Sequence, residues 1–358
     1  MTAPTTSSLA NGTTTGEWLA MHIYYAASPQ PLLTQCVAPL LDDLNGDGLL
    51  ADHFFINYWL EGPHVRLRLR PAAPELEPEV RRRAEEAVTA FLRRRPALYN
   101  VQRGFLSDLY NTLFDLELDD IERSEHVGPD GRMKVRPNNS FAYLPYHPEY
   151  GKYGGPAGVE LAEWHFRHSS DLVLEAMRTL NVHLRTVTLG VAAQLMMVMA
   201  STFITETEAL TAYLRRYHMF WHRTFAGTDL VGERDYGEDG EPAARLPERF
   251  ALIRDAVATG ELHRLPRMLA SWARHCRELR DRVTSLATGE GLVFRSVDGT
   301  QDERVTDPAE AQIRLLSPYL HMTNNRLHIT IRDEAYVSAL LARSLRGADA
   351  PVDLGTAP

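Results

Sequence analysis

The stretch His53–Pro71, HFFINYWLEGPHVRLRLRP, limits the fold of this chain more than any other. Two β-type runs, His53–Leu60 and His64–Arg70, flank the turn residues Glu61-Gly-Pro63 and read as a hairpin. Side chains alternate along a strand, so His64, Arg66, Arg68 and Arg70 point one way while Val65, Leu67 and Leu69 point the other. One face is core and the opposite face is cationic. Parallel guanidinium groups stay charged and suit two-point binding of carboxylate or phosphate. The plainer alternative is a solvated face of an edge strand, where arginines discourage further strand addition.

Around the hairpin, Met21–Tyr25 reads as a strand and Pro31–Leu44 as a helix ending at the turn Asn45–Gly48. Glu75–Arg95 reads as a charged amphipathic helix and Gly104–Phe114 as an aromatic strand, giving the order β-α-β-β-α-β of a ferredoxin-like unit. Glu117–Asn139 is acidic and then rich in Gly, Pro and Asn, as in a long loop. Helical spacing follows in Val159–Thr179, Leu184–Phe203, Glu206–Thr224, Leu246–Thr259, Leu262–Leu286, Pro308–His321 or a little beyond, and Asp333–Leu345. Phe225–Ala244 and Gly289–Asp307 read as polar connections. The expected class is α+β, an N-terminal ferredoxin-like antiparallel sheet followed by a mainly helical second half. The expectation is one domain over 17–345, made of a sheet-rich part 17–116, a loop 117–140 and a mainly helical part 141–345. Segments 1–16 and 346–358 are expected to be disordered.

A net charge of −9 argues against a sequence-independent grip on nucleic acid. Cys36 and Cys276 are the only cysteines, too few for a disulfide framework, which fits a reducing cytoplasm. The most apolar run, Thr186–Ile204, contains Gly190 and Gln194 between charged flanks and reads as a buried core helix. Residues 1–16 have neither a basic start nor an apolar stretch, so no signal peptide is expected. The pairs His165/His168 and His218/His222 lack an HExxH pattern or an acidic third ligand, and no metal is expected. There is no P-loop, GxGxxG or GxSxG.

Two further segments carry polar groups in suggestive patterns. If a helix continues past Pro318, Arg314, Ser317, His321, Asn324 and Asn325 recur at i, i+3, i+4 spacing, and a histidine among amides and hydroxyls can transfer a proton near neutral pH. The plainer reading is a final helix with a wet side, ended by Asn324 or Asn325. Tyr146–Gly158, YHPEYGKYGGPAG, combines aromatics, Glu149, Lys152 and turn glycines before a helix, and serves equally to aim groups at a ligand or to anchor a loop.

Together FFINYWLEGPHVRLRLRP, YHPEYGKYGGPAGVELAEWHF and HMTNNRL resemble the C-terminal elimination domain of class I lanthipeptide dehydratases, which also occurs as a separate protein in thiopeptide-type pathways. The resemblance runs from Trp18 to Leu345 and implies that the three segments converge on one active site. It implies elimination of glutamate from glutamylated Ser or Thr of a ribosomal precursor peptide, leaving dehydroalanine or dehydrobutyrine. Arg66, Arg68 and His321 match the catalytic positions, and Asn325 and Arg326 complete the histidine motif. Glu149, Lys152, Tyr153, Ser317, Asn325 and Arg326 are the implied substrate-binding residues. The family commonly has Arg where this chain has Lys152, which keeps the charge and loses the planar grip on carboxylate.

The resemblance implies no cofactor. The partners it implies are the precursor peptide, leader and core, and a separate protein that glutamylates it from glutamyl-tRNA. Direct contact with nucleic acid or membrane is not expected, and the oligomeric state is left open, a homodimer included. The same fold also serves a formal [4+2] cycloaddition of two dehydroalanines that forms a thiopeptide pyridine or piperidine ring with loss of the leader. A non-catalytic leader-binding subunit is the third alternative.

Overall fold

The computed structural model describes residues 16–99, 125–128, 131–224, 246–289, 291–296 and 299–345. Four strands form one antiparallel sheet: β1 (Leu19–Tyr24), β2 (Leu50–Tyr58), β3 (His64–Pro71) and β4 (Ser140–Tyr143), in spatial order β2-β3-β1-β4. The strands and the helices between them follow the expected β-α-β-β-α-β ferredoxin-like arrangement. The strand expected at Gly104–Phe114 lies outside the described residues, and the sheet's fourth strand is Ser140–Tyr143. The expected disordered ends and the connection Phe225–Ala244 also fall outside, except Gly16, whose N–H bonds the Pro71 carbonyl at 3.0 Å.

Between β1 and β2 the chain runs through α1 (Pro29–Leu32), a π-helical turn (Leu33–Val37) and α2 (Ala38–Gly46). After β3 comes α3 (Glu77–Arg94), whose buried stripe Val80, Ala84, Val88 and Phe91 keeps the i+3 and i+4 steps of one helix face and packs on β1 and β3. The apolar strand residues Met21, Ile23, Phe55, Val65, Leu67 and Leu69 are all buried.

After β4 the chain is helical: α4 (Tyr150–Tyr153), α5 (Pro156–Thr179), α6 (Arg185–Phe203), α7 (Thr207–Thr224), α8 (Leu246–Thr259) and α9 (Arg267–Thr288). The segment Gly289–Asp307, expected as a plain connection, instead holds a short hairpin of β5 (Leu292–Arg295) and β6 (Asp302–Val305). Leu292, Phe294 and Val305 are buried, and this apolar contact is what the polar composition concealed. α10 (Pro308–Arg326) and α11 (Ile331–Ser344) complete the described chain.

α6 is the one helix, among the described residues, long and apolar enough to cross a membrane, and here it is a core element. Leu195, Met196, Met197, Val198 and Met199 are buried in sequence, so this helix is apolar all round. Each such side chain contributes about 1.5–3 kcal/mol relative to exposure. Trp272 of α9 packs there and donates its indole N–H to the Leu195 carbonyl at 3.1 Å. Cys36 and Cys276 are both free and buried.

Candidate active site

β3 is hydrogen-bonded on both sides, so its arginines do not guard a sheet edge; the edge-strand alternative is thereby removed. In antiparallel register Arg66 lies opposite His22 and Ile56, Arg68 opposite Ala20 and Phe54, and His64 opposite Tyr24 and Tyr58. Directly opposite residues share a face. The cationic face therefore includes two histidines and two tyrosines.

Each arginine on this face has a different environment. Arg70 donates to the Glu163 Oε2 at 2.6 Å and lies 4.1 Å over the Trp18 ring, so it is committed to packing. Arg66 lies 3.4 Å over the Tyr58 ring, and its Nε donates to His64 Nε2 at 3.3 Å. His64 Nδ1 donates to the Gly62 carbonyl at 2.8 Å, which leaves Nε2 free to accept from Arg66. Arg68 is 4% exposed and donates from Nη2 to His22 Nε2 at 3.2 Å. Its Nε and Nη1 are buried without a partner.

Burial, with Arg66 alongside, pulls the Arg68 pKa down to about 9. Burial, then Arg68, lowers His22 to about 2, and burial, then Arg66, lowers His64 to about 3. Both imidazoles are therefore neutral acceptors at cellular pH. Among the described residues no carboxylate ion-pairs with Arg66 or Arg68.

The Tyr146–Gly158 loop covers part of this face. Tyr146 stands 5.3 Å from Arg68 and donates its hydroxyl to Glu163 Oε1 at 2.7 Å. Its glycines are needed for close packing: a Cβ on Gly158 would lie 1.8 Å from the Tyr153 carbonyl oxygen, and Gly154 has φ +88°. Val293 of the β5–β6 hairpin donates its N–H to the Gly154 carbonyl at 3.1 Å. Lys152, 41% exposed, points to Glu149 at 3.2 Å, so the two form a surface ion pair. Tyr153 is buried against Phe166 and Tyr319, at ring distances of 5.4 and 6.2 Å, and its hydroxyl has no partner.

α10 runs unbroken through Pro318 to Arg326, and its polar residues diverge. Arg314 pairs with Glu303 and Glu310. Ser317 Oγ meets the Tyr213 hydroxyl at 2.8 Å. Asn325 docks on the edge of β2: its Oδ1 accepts from the Asn57 N–H at 2.9 Å and its Nδ2 donates to the Asn57 carbonyl at 2.8 Å. Arg326 is fully buried, donates from Nε to Ser170 Oγ at 3.1 Å and from Nη1 to the Met322 carbonyl at 2.7 Å. Ser170 Oγ also accepts from the Phe55 N–H at 3.2 Å, so α5, α10 and β2 meet there. Arg326 is thus a tie between elements.

His321 Nδ1 lies 2.9 Å from Glu334 Oε2, and the ring sits 5.1 Å from that of Trp221. Glu334 Oε1 accepts from Asn324 Nδ2 at 3.1 Å and from the Tyr217 hydroxyl. Among the described residues no hydrogen bond or ring contact joins His321 to Arg66 or Arg68. The link between them is indirect. Asn325, one turn after His321, holds Asn57, and the next residue along β2, Tyr58, carries Arg66. Sequence reasoning missed Glu334, Tyr217 and Asn57, which lie far from His321 in sequence or outside the motifs. The one available signal was Glu334 in the first turn of a helix that begins with the capping box of Thr330 and Asp333.

His165 and His275 are buried with Nδ1 and Nε2 2.9 Å apart. Among the described residues no group of three or more His, Cys, Asp or Glu is arranged to hold a metal ion. His321 suits proton transfer, and the Arg66–Arg68 face suits an anion, with charge supplied by guanidinium groups.

Comparison with known proteins places residues 18–345 within the model of the family described as lantibiotic biosynthesis dehydratase C-term. Comparison with curated protein sequences finds no match. Among solved structures, TbtD, a pyridine synthase from thiomuracin biosynthesis, superposes with a TM-score of 0.69 at 21% identity, covering 91% of this chain and 97% of that one. TsrL gives a TM-score of 0.58 at 18% identity, covering 92% and 94%. MibB, a tRNA-dependent lantibiotic dehydratase from Microbispora sp. 107891, gives 0.48 at 18% identity, where the match spans 96% of this chain and 29% of that one.

Proposed function

The chain belongs to the lantibiotic dehydratase C-terminal family, a biosynthetic enzyme domain acting on ribosomally made peptides, and from that premise we propose that it eliminates glutamate from glutamylated Ser or Thr of a precursor peptide. The observation that carries this reading is the pair Arg66 and Arg68, set on one sheet face with no carboxylate partner among the described residues. Isolated buried cations are costly. An anionic leaving group is the complement that such a pair lacks.

In this reading His321 Nε2 takes the α-proton of the esterified residue. The C–H electron pair becomes the Cα=Cβ bond, the Cβ–O bond breaks, and its electrons leave with the glutamate carboxylate. Arg66 and Arg68 stabilise the developing negative charge, and no cofactor enters the step. A separate protein supplies the glutamyl ester. The substrate-binding roles of Tyr153 and Arg326 are better read as packing, because both are buried. Ser317 and Asn325 act on the His321 helix, and Glu149 and Lys152 lie at the rim.

A second reading, formal [4+2] cycloaddition of two dehydroalanines, is favoured by the Lys152–Glu149 pair. Lys152 is neutralised at the surface, so the loop offers no additional free cation to a glutamyl carboxylate. Two peptides separate the readings by mass: one bearing a glutamylated Ser and one bearing two dehydroalanines. Elimination predicts loss of glutamate from the first and no change in the second. Cyclisation of the second with the first returned intact would reject it.

A further inference from the structure

We propose that Glu334 is the positioning residue for His321: it holds the imidazole with the proton on Nδ1 and leaves Nε2 to exchange a proton with the substrate. The inference rests on the reading of His321 as the acid-base group.

Three side chains from two other helices determine what Glu334 can accept. The carboxylate is 1% exposed, in the first turn of α11. An amide nitrogen can only donate, so Asn324 Nδ2 at 3.1 Å fills one site on Oε1. Tyr217 fills another on the same oxygen. Burial, and then the nearby Glu334, push the Tyr217 pKa well above its ordinary value, so that hydroxyl keeps its proton and donates. Oε2 is left for His321 Nδ1 at 2.9 Å. A carboxylate acceptor there requires a proton on Nδ1, and in the neutral ring the lone pair is then on Nε2.

The ring's other edge is suited to substrate. The His321 side chain is 30% exposed, and among the described residues its Nε2 makes no hydrogen bond. One edge of the imidazole is held in the interior while the other remains accessible. The backbone adds precision: Glu334 donates its N–H to the Thr330 carbonyl at 2.9 Å, and Thr330 and Asp333 cap the helix reciprocally. The negative charge also lies at the helix end that favours it.

Nitrogen-15 spectra of the full chain labelled at histidine report the tautomer directly, with His321 assigned by the signal lost in His321→Asn. At mildly alkaline pH the wild type is expected to show the Nδ1–H form. Glu334→Gln, which keeps the shape and removes the charge, is expected to move His321 toward the Nε2–H form. The same change should lower kcat on a glutamylated Ser peptide by about 10²–10⁴-fold, the usual worth of a positioned acid-base group, with KM little altered. Tyr217→Phe, which removes one donor to Glu334, should retain the Nδ1–H signature and lose less activity. A wild-type Nε2–H form overturns the inference even if Glu334→Gln fails to fold, and so does a Glu334→Gln spectrum unchanged at His321. An inactive wild type that still shows the Nδ1–H form supports the role of Glu334 and rejects elimination instead.

Discussion

Replacing Arg68 by Met is expected to stabilise the fold while abolishing turnover. The guanidinium is 4% exposed, and its pKa falls to about 9 through burial and the neighbouring Arg66. Measured from the ordinary arginine value of 12.5, this displacement disfavours the charged form in the native state by about 5 kcal/mol. The native pKa lies below the unfolded one, so the penalty is fully present below about pH 9 and fades only as pH rises toward 12.5. Methionine has a similar reach and needs no partner.

The substitution also has a cost, because His22 Nε2 loses the donor that Arg68 supplies at 3.2 Å. An acceptor left unpaired costs about 1–3 kcal/mol, and partial relaxation of the charged site reduces the gain further. A net stabilisation of about 1–3 kcal/mol is therefore expected, within the range seen when buried charges are replaced by apolar groups. Calorimetry at pH 7.5 would record it as a higher Tm. Added glutamate should raise the Tm of the wild type and leave that of Arg68→Met unchanged, since ligand stabilises only a state that binds it. A fall in Tm on substitution would refute the reasoning: Arg68 would be structural, and the anion site would lose its central observation.

Other perturbations have equally definite outcomes. His22 and His64 are held near 2 and 3 in the native state against 6.5 when unfolded, so the unfolded chain binds protons that the native one refuses. Stability should fall by up to about 1.4 kcal/mol per pH unit for each histidine as pH drops below 6.5, and urea unfolding of His22→Asn/His64→Asn should show a shallower slope. An identical slope would contradict the burial argument. Gly158→Ala should lose soluble native protein or at least about 3 kcal/mol of stability, because the new Cβ would meet a backbone oxygen rather than a flexible side chain. Asn325→Ala should cost about 2 kcal/mol by urea unfolding through its paired bonds to Asn57; a loss below about 0.5 kcal/mol would mean that α10 is not tied to β2 by this residue.

The alternation of HVRLRLRP and the turn at Glu61-Gly-Pro63 made the central hairpin legible from the chain alone, because a strand with period two has one way to bury Val65, Leu67 and Leu69. The long helices were legible for the same kind of reason, their apolar stripes exceeding what a loop would contain. Ser140–Tyr143 was not legible: four half-buried residues after a Pro- and Asn-rich run carry too little pattern, and β1 supplies the pairing that defines them. The polarity of Gly289–Asp307 likewise hid a hairpin whose few apolar residues pack beneath the Tyr150–Gly158 segment.

At the site, residue type identified Arg66, Arg68 and His321, but spacing could not assign their partners. A shared helix face was expected for Arg314, Ser317, His321, Asn324 and Asn325, yet Ser317 meets α7, His321 and Asn324 both meet Glu334 of α11, and Asn325 meets β2, because these elements crowd around α10 from several sides. Only tertiary packing brings Glu334, 13 residues on, to His321.

The most direct test of the central claim uses a glutamylated Ser peptide deuterated at the α-carbon, followed by mass under single turnover. The account predicts release of glutamate with a primary isotope effect in the wild type, and no release by Arg68→Met or His321→Asn although both still bind the peptide. Release at an undiminished rate by either variant would contradict it, by placing the chemistry away from the sheet face or from the Glu334-held histidine.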